Sequence, residues 1–237
     1  MSDRKVSVVI PVGPRQVHRR WLDLAIISVA RQTYAAEELV LVDDMAGLDN
    51  VDSIRRAETY NLMSSFRRSQ IYKPPWRLGV AHAFNAGVAV AKNELVFMLG
   101  ADDTLMPNCL EECVSTYEAA GQPEWAYLFV GVRYSDGRDD QYVPCNAAMV
   151  TKALWRATGG FPVEAASGAP DAAFISMLMT RPELGEVRGV GSPEHPLYFY
   201  RVHEDTDTAG RGPWQGVILQ TRDLLTKLWE APAWGRY

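Results

Sequence analysis

Between residues 6 and 99 the chain alternates two apolar rhythms, and this alternation limits what it can fold into more than any other feature. Val6 to Val12, Glu38 to Val42, Gln70 to Tyr72 and Glu94 to Leu99 are short runs dominated by Val, Ile and Leu. Between the first two, Leu22, Ala25, Ile26 and Val29 recur at helical spacing. Ile54 and Ala57 mark a weaker stripe, and Val80, Ala83, Phe84, Gly87, Val88 and Ala91 a clean one. Strands that are apolar throughout need cover on both faces, and helices reached by right-handed crossovers supply it. The expected fold is therefore α/β, a mostly parallel sheet flanked by helices, with a first half of nucleotide-binding type.

The rhythm loosens after Pro107. Leu110, Cys113, Val114 and Tyr117 predict another helix, and Trp125 to Tyr134 one long strand ending at Asp136-Gly137. A short helix over Thr151 to Thr158 is stopped by Gly159-Gly160, and a second follows over Ala169 to Thr180. Glu186 to Val190 and Leu197 to Val202 read as late strands, and a stripe from Trp214 to Leu228 as a C-terminal helix. With 237 residues, 47% of them apolar, and no linker of biased composition, one domain with a smaller α+β second half is expected.

Composition narrows the function classes. A net charge of -5 lacks the bulk positive field on which non-specific nucleic-acid and anionic-membrane binders rely. No apolar run approaches the roughly 18 to 20 residues that span a bilayer, and Val6 to Ile10 is too short for the core of a signal peptide. Of the three cysteines, Cys109 and Cys113 are four apart on a predicted helix and suit reduced core positions, so a cytoplasmic protein is expected.

In open parallel sheets ligands bind at the carboxyl ends of the strands. Here those ends carry Pro11-Val12-Gly13-Pro14-Arg15, Asp43-Asp44 and Gly100-Ala101-Asp102-Asp103-Thr104. No G-x-G-x-x-G follows the first strand and no G-x-x-x-x-G-K-[ST] occurs, which removes the usual dinucleotide and P-loop readings. Paired aspartates suggest a hard divalent cation that neutralises a diphosphate. The plainer alternatives are that Asp102, Asp103 and Thr104 cap the helix near Pro107 and that Asp43-Asp44 makes a turn.

Taken in order, these segments resemble the family 2 glycosyltransferases of GT-A fold. The resemblance rests on Val6-Ser7-Val8-Val9-Ile10-Pro11, on Ala25 to Val29 with Gln32-Thr33-Tyr34, and on Glu38-Leu39-Val40-Leu41-Val42-Asp43-Asp44. It continues through Arg77-Leu78-Gly79-Val80-Ala81, Asn85-Ala86-Gly87, Glu94 to Phe97 with Ala101-Asp102-Asp103, Gly159-Gly160-Phe161, Asp171 and Tyr200-Arg201-Val202-His203. It implies a nucleotide-diphosphate sugar, UDP-linked in preference to GDP-linked, held by Pro11, Val12, Asp44, Arg77 and Asp102. Pro11 and Asp44 would meet the base and Asp102 the ribose. It puts Asp103 on a Mn2+ or Mg2+ ion bridging the diphosphate, places His203 at the metal or diphosphate, and makes Asp171 the catalytic base. Residues 1–104 would form the nucleotide-sugar half, 105–205 the acceptor half and 206–237 a helical tail. Three departures stand out: Val12-Gly13-Pro14 replaces a small-aromatic-Asn sequence, Phe84 an arginine, and Pro170 the acid before the base.

The implied chemistry is an inverting transfer, in which one carboxylate takes the acceptor proton while a cation stabilises the departing diphosphate. The plain alternatives are a first-turn helix acid for Asp171 and a structural role for His203. Arg19-Arg20, Arg55-Arg56 and Arg67-Arg68 read as solvated faces, and Trp155 as either an acceptor-stacking ring or a core residue. Two other functions share the layout. A nucleotidyltransferase wants a Gly-Gly-x-Gly-Thr-Arg-like loop where Pro11 to Arg15 stand, and the other is a catalytically inactive sugar-nucleotide binder. The acceptor hydroxyl, on a glycan, lipid carrier, protein, metabolite or modified DNA base, is not specified by any of these residues.

Overall fold

The computed structural model of the chain describes residues 4–48, 53–137, 146–162, 170–181, 183, 185–192 and 194–204. Its first half follows the alternation in the sequence: β1 (Val6–Val12), α1 (Gln16–Ala30), β2 (Glu38–Asp43), α2 (Ser53–Met63), β3 (Arg68–Tyr72), α3 (Val80–Val90) and β4 (Leu95–Met98). Every residue of β2 and β4 is buried, as strands covered on both faces must be. The covering helices bury the striped residues, Leu22, Ala25, Ile26 and Val29 on α1 and Ala83, Phe84, Gly87 and Val88 on α3.

The second half comprises β5 (Thr104–Leu105), α4 (Cys109–Ala119), β6 (Ala126–Val130), β7 (Val132–Tyr134), β8 (Ala148–Thr151), α5 (Lys152–Thr158), α6 (Pro170–Thr180), β9 (Glu186–Val190) and β10 (Tyr198–Tyr200). Seven strands form one sheet in the order β3-β2-β1-β4-β8-β6-β9, and β5-β10-β7 form a small second one. Strand β8 runs antiparallel to both its neighbours, β4 and β6, while the other pairings of the large sheet are parallel. Six strands therefore share one direction and one carboxyl edge.

The single strand expected over Trp125 to Tyr134 is two strands in different sheets. Gly131 is the crossing point: its N–H bonds the Val190 carbonyl at 2.9 Å, and its own carbonyl accepts from the N–H groups of Leu197 and Tyr198. A Cβ there would lie 2.4 Å from the Ser192 carbonyl oxygen, so only glycine lets the two segments approach. Strand β8 was not foreseen, because Asn146-Ala147-Ala148-Met149-Val150 carries little β-branched signal. Helix α5 ends as expected on Gly159, in the left-handed conformation at φ 79°. Residues 163–169, Cys145 and the expected C-terminal helix lie outside the described residues, whose helices include none long and apolar enough to cross a membrane.

Candidate active site

Sheet topology brings three of the candidate residues to one edge. Asp44 follows β2, and Asp102 and Asp103 follow β4, at the carboxyl edge. Because β8 is reversed, α5 starts at the opposite edge, where β6 and β9 also begin. Asp171 lies in the first turn of α6.

Asp102 and Asp103 differ sharply in environment. Asp103 is only 3% exposed; its Oδ2 accepts from the Tyr198 hydroxyl at 2.6 Å and its Oδ1 from the Arg201 N–H at 2.8 Å. Burial, reinforced by the charge of Asp102, pushes its carboxyl well above the usual carboxylate range, against the opposing pull of those two hydrogen bonds. Asp102 instead brings Oδ2 within 2.9 Å of His203 Nε2, with 21% and 14% of the two side chains exposed. Neither aspartate caps a helix: Thr104 belongs to β5, and α4 begins after Asn108. Arg201 reaches back to donate from Nε to the Asp102 carbonyl at 2.9 Å, with its guanidinium 4.0 Å from the centre of the Trp21 ring.

Among the described residues no group of three or more His, Cys, Asp or Glu could hold a metal. Asp102 and His203 set one carboxylate oxygen beside one imidazole nitrogen, a pair of donor types that divalent ions accept.

On the other side of the edge, Asp43 and Asp44 also divide their tasks. Asp43 closes a turn, accepting from the N–H groups of Gly47 and Leu48 at 3.0 Å each. Asp44, 3% exposed, accepts from Leu78 N–H at 2.5 Å and Gly79 N–H at 2.9 Å and so ties the entry of α3 to the end of β2. Arg77, next in line, is exposed, Pro11 is half-buried, and Val12 is fully buried with its carbonyl bonded to the Asp44 N–H at 2.9 Å. The Val12 side chain thus sits in the core rather than in a cleft.

The helix that carries Asp171 is anchored by aromatic packing. One turn on, fully buried Phe174 lies in a cluster with Tyr127, Trp155 and Phe161, ring centres 5.1 to 5.7 Å apart. Trp155, 5% exposed, is a core residue, and Phe84 packs edge-on to Phe161 at 5.9 Å, which accounts for an aromatic at that position. Asn85 clamps Phe161 by both backbone groups, donating to its carbonyl and accepting from its N–H at 2.9 Å each. Of the basic pairs, Arg67 and Arg68 face Glu37, and Arg20 lies over Trp21. Sequence reasoning missed Tyr198, Trp21 and the Asn85 clamp; only Tyr198, in the apolar run before Arg201 and His203, left a signal.

A large mixed sheet with a three-stranded companion and an acidic carboxyl edge defines the GT-A class of sugar-nucleotide transferase folds. The family model described as Glycosyl transferase family 2 matches residues 7–158, and the chain belongs to that family. An uncharacterized glycosyltransferase of Nostoc sp. is 32% identical over 119 residues, 49% of this chain and 34% of that one. The O-antigen biosynthesis protein RfbC of Myxococcus xanthus is 32% identical over 136 residues, 57% of this chain and 10% of that one. The match thus spans about a third or less of the length of these two relatives. Two solved structures share the fold at 16% identity. S. aureus TarS in complex with UDP-GlcNAc has a TM-score of 0.67, over 88% of this chain and 61% of that one. The mannosyltransferase PcManGT from Pyrobaculum calidifontis, in complex with GDP-Man and Mn2+, has 0.63 over 96% and 65%.

Proposed function

We propose that this chain is an inverting, metal-dependent glycosyltransferase that moves a sugar from a nucleotide-diphosphate donor to a hydroxyl acceptor. The observation that carries the reading is the Asp102–His203 pair, 2.9 Å apart and partly exposed beyond the end of β4. Family membership and the sugar-nucleotide complexes of TarS and PcManGT support a donor of this class, and UDP is favoured on the resemblance alone.

Asp102 and His203 would hold the Mn2+ or Mg2+ ion; the resemblance gives that role to Asp103 with His203 and puts Asp102 on the ribose. Asp103 stands behind them with both oxygens engaged by Tyr198 and Arg201. A cation held there would supply positive charge to the leaving diphosphate. Asp44 orders the Arg77-Leu78-Gly79 segment, and this segment with Pro11 would meet the base of the nucleotide. Asp171 takes the proton of the acceptor hydroxyl as its oxygen bonds to the anomeric carbon from the face opposite the diphosphate. The sugar–diphosphate bond breaks and its electron pair leaves with the nucleotide.

The test is a panel of UDP- and GDP-sugars assayed for release of the nucleoside diphosphate, with and without Mn2+ or Mg2+. We expect turnover of one donor, stimulated by metal and lost in Asp102→Asn. Metal-independent turnover, or an Asp102→Asn variant that keeps metal stimulation, would overturn the assignment.

A further inference from the structure

Asp102 and His203 are 101 residues apart, and both lie in irregular backbone, one in the turn after β4 and the other just beyond β10. Neither residue is itself part of a helix or strand, but the β5–β10 ladder pairs Thr104 with Phe199 close to both. Four further hydrogen bonds fix the turn itself. The Tyr198 hydroxyl donates to Asp103 Oδ2 at 2.6 Å and accepts from the Gly100 N–H at 3.1 Å; the Arg201 N–H donates to Asp103 Oδ1 at 2.8 Å, and Arg201 Nε to the Asp102 carbonyl at 2.9 Å. Two of the four pass through a single oxygen atom, on a side chain with no exposure at all. The fit around it is close: a Cβ on Gly100 would come within 2.6 Å of Asp103 Oδ2.

We propose that Tyr198 is a positioning residue for the metal site. Its hydroxyl, donor to Asp103 and acceptor from Gly100, pins the Gly100–Asp103 turn to β10 so that Asp102 and His203 face the same point. This rests on the reading of Asp102 and His203 as the metal-facing pair. Phenylalanine fills the same volume but leaves the Gly100 N–H and the Asp103 oxygen buried without that partner, and the turn must shift to satisfy them. Loss of a group that orients a metal ligand without touching the metal lowers metal affinity by about 10- to 100-fold.

The experiment is a Mn2+ titration followed by electron paramagnetic resonance on the full chain with saturating UDP, alongside UDP affinity measured by calorimetry without metal. Tyr198→Phe is expected to weaken Mn2+ binding about tenfold or more and to leave metal-free UDP affinity unchanged. Tyr200→Phe, which removes a hydroxyl from the same strand, should behave as the parent. Asp103→Asn disturbs the same link from its other side, should lose Mn2+ affinity likewise, and stands in if Tyr198→Phe fails to fold by circular dichroism. If Tyr198→Phe, or Asp103→Asn in its place, binds Mn2+ as tightly as the parent while His203→Ala does not, the positioning role is overturned and the metal site stands. If parent and His203→Ala bind Mn2+ alike, the metal site itself is refuted and the inference falls with it.

Discussion

Asp43, Asp44 and Asp103 are engaged by hydrogen bonds within the fold, while Asp102 and Asp171 are the carboxylates proposed for the chemistry, and each variant should report which it is. Asp171→Asn keeps shape and hydrogen bonding but cannot take a proton. Transfer should fall by about 10²-fold or more with the donor's affinity retained, read by steady-state rates beside calorimetric binding. A variant with parental transfer rates would remove Asp171 from the chemistry. Asp44→Ala leaves the N–H groups of Leu78 and Gly79 without their acceptor. It should cost about 1–3 kcal/mol in denaturant unfolding and weaken UDP as well as the whole donor. Parental UDP affinity in a destabilised variant would confine Asp44 to holding the fold.

Helices and strands reach the edge through a few long-range ties, and these should be separable from the chemistry. Asn85 on α3 holds the Phe161 backbone that follows α5, and Phe161 packs on Phe174 of α6, the helix that carries Asp171. Asn85→Ala should therefore slow transfer while leaving metal-dependent UDP binding intact; a loss of UDP binding equal to the loss of transfer would contradict that path. At the junction of β6 and β7, Gly131→Val would drive a side chain into the Ser192 backbone. A marked fall in melting temperature is expected, and parental thermal stability would show that the crossing has slack.

Taken as one body, the molecule joins a regular first half to a second half gathered round aromatic rings. Phe174→Ala removes the fully buried ring that touches Tyr127, Trp155 and Phe161. The loss of a buried aromatic of this kind is about 3–5 kcal/mol, which in a domain of this size lowers the melting temperature by roughly 6 °C or more. A smaller shift by calorimetry would mean that the cluster relaxes around the hole. How much of this was legible in the chain follows from the range of the forces involved. Two-faced burial of β1, β2 and β4 and the stripes of α1 and α3 were readable because apolar periodicity is local, each residue's fate depending on neighbours a few positions away. Asp44, Asp102 and Asp103 were readable because strand ends carry them in order, whereas Asp171 and His203 were named only by the resemblance to a family. Their separate positions were not readable. The burial of Asp103 is decided by Tyr198, 95 residues on, the hold on Phe161 by Asn85, 76 residues back, and the crossing at Gly131 by Ser192. Apolar patterning settles which segments become strands and helices. Which of two adjacent carboxylates is buried is a question of who donates the hydrogen bonds, and that is answered only when distant segments have packed.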